Sequence, residues 1–204
     1  VRELRQLDEL AHAGLAGVLN HMERRMVPPY QLLLNLVAFL GKPSGGGGGD
    51  RPIALMCMVY RVWAGIRRVD TEAWCSTGAG HWGKAVKGSS ALWAALQRVV
   101  LDEIDHTCGR VTATYLWDMT KLYDTINVAL LVAAAGRRQY PVRSLVLGMY
   151  FHLAPRVLRA AGCHSKALDV HTSIVAGCPQ SNHFARIALY DVLAEAHARY
   201  PLCA

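Results

Sequence analysis

Five consecutive glycines at positions 45–49 are the strongest local constraint in this 204-residue chain. Glycine gives up more backbone freedom on ordering than any other residue, so neither a helix nor a strand passes through such a run. The flanking segments must therefore be separate elements joined by a mobile loop. Before the loop, Leu32–Leu40 is a dense apolar run of strand-like length, although periodicity alone also admits a short helix. After it comes Arg51-Pro52-Ile53. The pattern predicts a surface hairpin with a cation, Lys42 or Arg51, at each end of its loop. A phosphate-binding P-loop requires Gly-Lys-Ser/Thr at its end, and Asp50 stands there instead.

Other elements follow from periodicity and capping. Leu4, Leu7, Leu10, Leu15, Val18 and Met22 place an amphipathic helix over 3–25, stopped by Pro28-Pro29. Residues 54–68 predict a buried helix ending at Arg67-Arg68. A second helix covers 90–104, with Leu92, Leu96, Val99, Val100 and Ile104 along one side. Val111–Trp117 alternates and is β-rich, and Asp118 stands at its end. Asp124-Thr125 is a candidate cap for a helix to about Arg138, and Pro141 opens another to about Leu153. Residues 156–176 read as short strands with turns at Gly162 and near Asp169. A turn at Gly177–Gln180 leads into a last helix, capped by Ser181 or Asn182 and ending near Arg199. The order of elements is that of an α+β fold, with helices packed on a small antiparallel sheet.

Composition narrows the functional classes. With 52% hydrophobic and 18% charged residues the chain can build a core and is not of disordered type. Its formal net charge of +7 is spread along the sequence, which suits a polyanionic partner or a solvated basic surface. The six cysteines form no Cys-x-x-Cys pair and no zinc-type spacing, so they read as reduced thiols of an intracellular protein, nuclear or cytoplasmic. Leu32–Gly41 and Val128–Gly136, the longest apolar stretches, are too short to span a bilayer. Both chain ends look like truncations.

Three constellations carry chemistry. In Asp118-Met119-Thr120-Lys121-Leu122-Tyr123-Asp124 a carboxylate follows a strand, where it is suited to Mg²⁺ or to a helix cap. In Gly177-Cys178-Pro179-Gln180, glycine permits close backbone approach, proline stiffens the turn, and Gln180 can donate and accept hydrogen bonds. Lys42 and Arg51 could clamp a triphosphate, or simply decorate a basic loop.

Taken in order, Arg51-Pro52-Ile53-Ala54-Leu55, Asp118-x-x-x-x-Tyr123-Asp124 and Ala176-Gly177-x-Pro179-Gln180-Ser181 resemble the reverse transcriptase domain of non-LTR (LINE-like) retrotransposons. Tyr60-Arg61-Val62-Trp63 and Lys87-Gly88-Ser89-Ser90 resemble the same branch, and the likeness runs from about Val27 to Tyr190. It implies a partial right-hand polymerase, with 1–110 mainly fingers and 111–204 mainly palm, lacking the thumb. It implies an RNA template, a DNA primer and dNTP as partners, and Mg²⁺ or Mn²⁺ as cofactor.

Site by site, the resemblance makes Asp118 the catalytic metal-binding aspartate, with the Met119 carbonyl assisting. Lys42 and Arg51 contact the triphosphate. Tyr123 lies under the sugar, where its ring would clash with a 2′-hydroxyl. Gln180 sits beside the nucleotide, with Gly177 and Pro179 shaping that wall, while Asp124 has a structural or capping role. Ser181 replaces a frequent glycine and Leu122 a frequent alanine. The family's Tyr/Phe-x-Asp-Asp hairpin is missing from these residues: Tyr190-Asp191-Val192 falls inside the last predicted helix. Incomplete catalysis in isolation follows from that. A non-catalytic nucleic-acid-binding remnant, or a helical scaffold that meets a protein partner, are the alternatives.

Overall fold

A computed structural model of the chain describes residues 3–40, 51–78, 90–113, 119–160 and 162–200. Among these residues eight α-helices and a four-stranded sheet form an α+β arrangement. The glycine loop and Lys42 lie outside the described residues, but the hairpin that they join is formed. β1 (Asn35–Leu40) pairs antiparallel with β2 (Arg51–Leu55), with Leu40 opposite Arg51. β1 also pairs in parallel with β3 (Arg156–Ala160), and β3 pairs antiparallel with β4 (Cys163–His164), giving the order β2-β1-β3-β4. The sheet is thus mixed rather than antiparallel. Its central pair joins segments more than a hundred residues apart, so the first and second halves of the chain share one sheet.

Helix α1 (Glu9–Arg25) starts at Asp8, whose carboxylate accepts the Ala11 N–H, and ends with Met26 left-handed, before the prolines. Helix α2 (Met58–Ile66) begins later than periodicity predicts, because residues 51–55 are taken by β2. α3 (Arg68–Gly78) follows directly. α4 (Ala91–Thr107) is capped by Ser90. Its predicted core side is open: Leu92 is 80% exposed, and Leu96, Val99, Val100 and Ile104 are exposed as well. Residues 111–113 are irregular and exposed, not a strand, and 114–118 lie outside the described residues.

Asp124 and Thr125 do not cap the next long helix. They end a single turn, α5 (Leu122–Thr125), and α6 (Val128–Arg137) is capped by Asn127, whose side-chain oxygen accepts from Leu130 N–H. α7 (Val142–His152) opens after Pro141 as predicted. α8 (Ser181–Arg199) has Gln180 at its N-cap position with no side-chain cap, since Ser181 Oγ turns back to donate to the Val175 carbonyl. Tyr190, Asp191 and Val192 lie within α8. Asp191 accepts from Arg137 and Arg138, which hold its carboxyl below the usual range, Arg138 most strongly.

Two apolar clusters meet along α7. One joins α3, α6 and α8 through Trp74, Leu131, Tyr140, Met149 and Phe184; the other joins α1, α2 and the sheet through Met22, Val37, Tyr60, Trp63 and Phe151. Fully burying a side chain of this size contributes about 1.5–3 kcal/mol. Residues 174–178 serve both clusters, with Ile174 in the first and Val175 and Cys178 in the second. The sequence motif at 174–180 therefore sits on the seam of the core.

One polar group ties α1 to this body. Glu23 accepts from the Trp63 indole N–H at 2.7 Å and from two nitrogens of Arg67, with Arg143 further away at 3.9 Å. Arg67 is the main reason its carboxyl is held below the ordinary range. Glu23→Ala leaves the buried Trp63 donor unpaired. It should cost roughly 2–3 kcal/mol, read as a lower urea midpoint at unchanged slope. Glu23→Gln keeps an acceptor and should cost less.

Candidate functional site

The site is built on the segment 172–182. Its backbone is pinned from three sides. Ser173 N–H and Ile174 N–H donate to the carbonyls of Ile126 (3.1 Å) and Tyr123 (2.9 Å). Val175 N–H donates to His152 Nδ1 at 2.8 Å. The Ala176 carbonyl accepts from Ala54 N–H of β2 at 3.3 Å. Gly177 follows with φ +98°, a conformation that favours glycine. A Cβ there would lie 3.3 Å from the Ala54 carbonyl oxygen and 3.8 Å from Ile53, so backbone geometry and close approach both call for glycine.

Cys178 turns inward. Its Sγ lies 3.1 Å from the hydroxyl of Tyr60, whose ring stacks on Phe151, and burial pushes both the thiol and the phenol up. Gln180 is 2% exposed, and its amide nitrogen and oxygen are both closed off from solvent with no hydrogen-bond partner among the described residues. The amide lies under α7, where Gly148 leaves room for it. Gln180 and Pro179 do line a cleft of about 800 Å³ between α3 and the start of α8, together with Arg68, Thr71, Asn182 and Arg186. What Gln180 presents to that cleft is not its amide.

Tyr123 is half-buried beside this segment, and its hydroxyl donates to Asn182 Oδ1 at 2.7 Å. Met119 is exposed, and Asp124 is exposed without capping a helix. Arg51 is placed at the end of β2 opposite Leu40. The structure links Tyr123 to the segment through Ile174 and Asn182, puts Pro179 and Gln180 on one cleft, and sets Ile53 and Ala54 of β2 against Gly177. Asp118 and Lys42 lie outside the described residues.

Among the described residues no three His, Cys, Asp or Glu side chains come together. Asp118, the carboxylate that the resemblance assigns to the metal, is not among them. Among the described residues no helix is long and apolar enough to cross a membrane.

Three contributors escape a reading of the sequence. Asn182 and His152 act through contacts with residues 59 and 23 positions away, and Tyr60 through one 118 positions away. No spacing rule finds such pairs. A lone histidine in an apolar helix is the only signal that His152 gives. No family model matches the chain, and no curated protein matches it.

Proposed function

We propose that the chain is part of an RNA-directed DNA polymerase, and that residues 174–182, Tyr123 and the β1–β2 hairpin form the nucleotide side of its site. The fold is then part of a right-hand polymerase, with the hairpin and α2–α4 as fingers and the remainder as palm. The reaction is transfer of a nucleotidyl group from dNTP to a primer 3′-hydroxyl on an RNA template.

One observation carries this reading. Three motifs far apart in sequence meet on one backbone segment, through Ala54 N–H to the Ala176 carbonyl, Ile174 N–H to the Tyr123 carbonyl, and Tyr123 Oη to Asn182. The half-buried ring of Tyr123 presents a flat apolar surface suited to a sugar, and Gly177 lets the hairpin approach the turn. The distributed charge of +7 suits a template–primer duplex.

Titration with dATP tests the reading. Binding is expected in the wild-type chain and should weaken about tenfold or more in Tyr123→Ala, the order of one lost stacking or packing contact. Equal affinity in the two proteins contradicts it. Primer extension by this chain alone should give no product, because its 204 residues contain no adjacent pair of aspartates. Product that vanishes in Asp118→Asn would overturn that expectation.

A further inference from the structure

We infer that Asn182 is a positioning residue that sets the preference for deoxyribonucleotides over ribonucleotides, acting through the ring of Tyr123. The inference rests on the polymerase reading above and deepens it.

Tyr123 is held at both ends by one segment. Its main-chain carbonyl accepts the Ile174 N–H at 2.9 Å, and its hydroxyl donates to Asn182 Oδ1 at 2.7 Å. A tyrosine side chain has two torsions, and fixing the backbone and the tip together leaves the ring little freedom. Ring position is the quantity that matters for the sugar. A steric barrier rejects a 2′-hydroxyl only if it cannot swing aside by the width of one oxygen. Asn182 supplies that restraint from the second residue of α8, just beyond the Gly177–Gln180 turn.

The contact is poorly placed to serve stability. Asn182 is exposed and Tyr123 only half-buried, and an exposed neutral hydrogen bond adds little to folding. Asn182 is also not the helix cap, which is at Gln180. A role in holding the ring accounts for an oxygen directed at the phenol where folding gains little from it.

Affinities for dATP and ATP, which differ only at the 2′ position, are measured on the full chain. In Asn182→Ala the preference for dATP should fall about fivefold, within the range of one neutral hydrogen bond. Tyr123→Phe keeps the ring and removes the donor, so it should lose the same preference. The double variant should lose no more than either alone, the signature of a shared contact. Asn182→Asp keeps an acceptor and should retain the preference. Unfolding midpoints should stay close to wild type throughout, which separates positioning from folding. An unchanged dATP/ATP ratio in Asn182→Ala, or additive losses in the double variant, overturns the inference while leaving the polymerase reading intact. Failure of the wild-type chain to bind dATP at all removes that reading, and the inference with it.

Discussion

Gly148→Ala is expected to destabilise the chain by about 3 kcal/mol or more, against the direction that helix propensity alone predicts. In the interior of a free helix, replacing glycine by alanine stabilises by about 1 kcal/mol. Here the added Cβ would lie 2.5 Å from Gln180 Oε1 and 2.8 Å from Phe184 Cζ. Neither can step aside cheaply. Phe184 is fully buried and meets Tyr140 and His152 edge-on, and Gln180 is closed in beneath α7. Overpacking of this kind costs roughly 1–3 kcal/mol, and here two buried groups obstruct the same methyl. Urea unfolding of Gly148→Ala, Gln180→Ala and the double variant checks the cause. The double variant should recover part of the loss, because removing the amide frees the nearer of the two obstacles. Strict additivity would place the strain elsewhere.

The second large effect is acid destabilisation centred on His152. Its ring is completely buried, its Nδ1 accepts the Val175 N–H, and burial first and Arg156 second lower its pKa to about 3. In the unfolded chain an imidazole titrates near 6.5. The folded state therefore binds fewer protons than the unfolded one between these values. Stability from this source is full above about pH 6.5 and is lost as pH falls toward 3. At about 1.4 kcal/mol per unit, the loss approaches 4–5 kcal/mol, comparable with the whole stability of many domains. The chain should unfold before His152 is charged in the folded state. Val175 N–H would lose its acceptor on protonation, so the 174–180 segment should loosen first. Urea midpoints from pH 8 to pH 4 should fall steeply in wild type and less steeply in His152→Asn, which offers an acceptor but does not titrate. Parallel curves for the two proteins would assign the acid sensitivity to carboxylates such as Glu23.

The sequence makes local structure legible where a single residue dictates it. Pro141 fixes the start of α7, the glycine run separates β1 from β2, and Gly177 marks a turn with positive φ. Where two residues compete for one duty, local rules choose poorly. Asp124, Thr125 and Asn127 are all capable caps, and Asn127 wins because residues 122–125 are spent on a separate turn. Long-range pairing is not legible at all. The parallel match of Asn35 with Arg156 depends on burial that no local pattern encodes, and for that reason an antiparallel sheet is the natural but wrong expectation. The apolar repeat of α4 correctly marks a helix and incorrectly implies a buried side.

The same division holds for the site. Pro179, Gln180 and Tyr123 stand out in the sequence; Pro179 and Gln180 line one cleft, and Tyr123 meets the residues on either side of the turn, Ile174 and Asn182. Sequence cannot tell that the Gln180 amide turns into the core, because the space for it is made by Gly148, thirty-two positions earlier. Nor does it reveal the Tyr123–Asn182 contact, which exists only once the segment 172–176 is threaded between α5 and β2.

Photolabelling with a reactive dATP analogue, followed by mapping of the labelled peptides, locates the bound nucleotide on the chain. Label competed away by excess dATP should fall on residues 119–125, 174–186 and the β1–β2 hairpin, the three segments that the hydrogen bonds gather. Label on α4, or label that excess dATP does not remove, would contradict a nucleotide site at that junction.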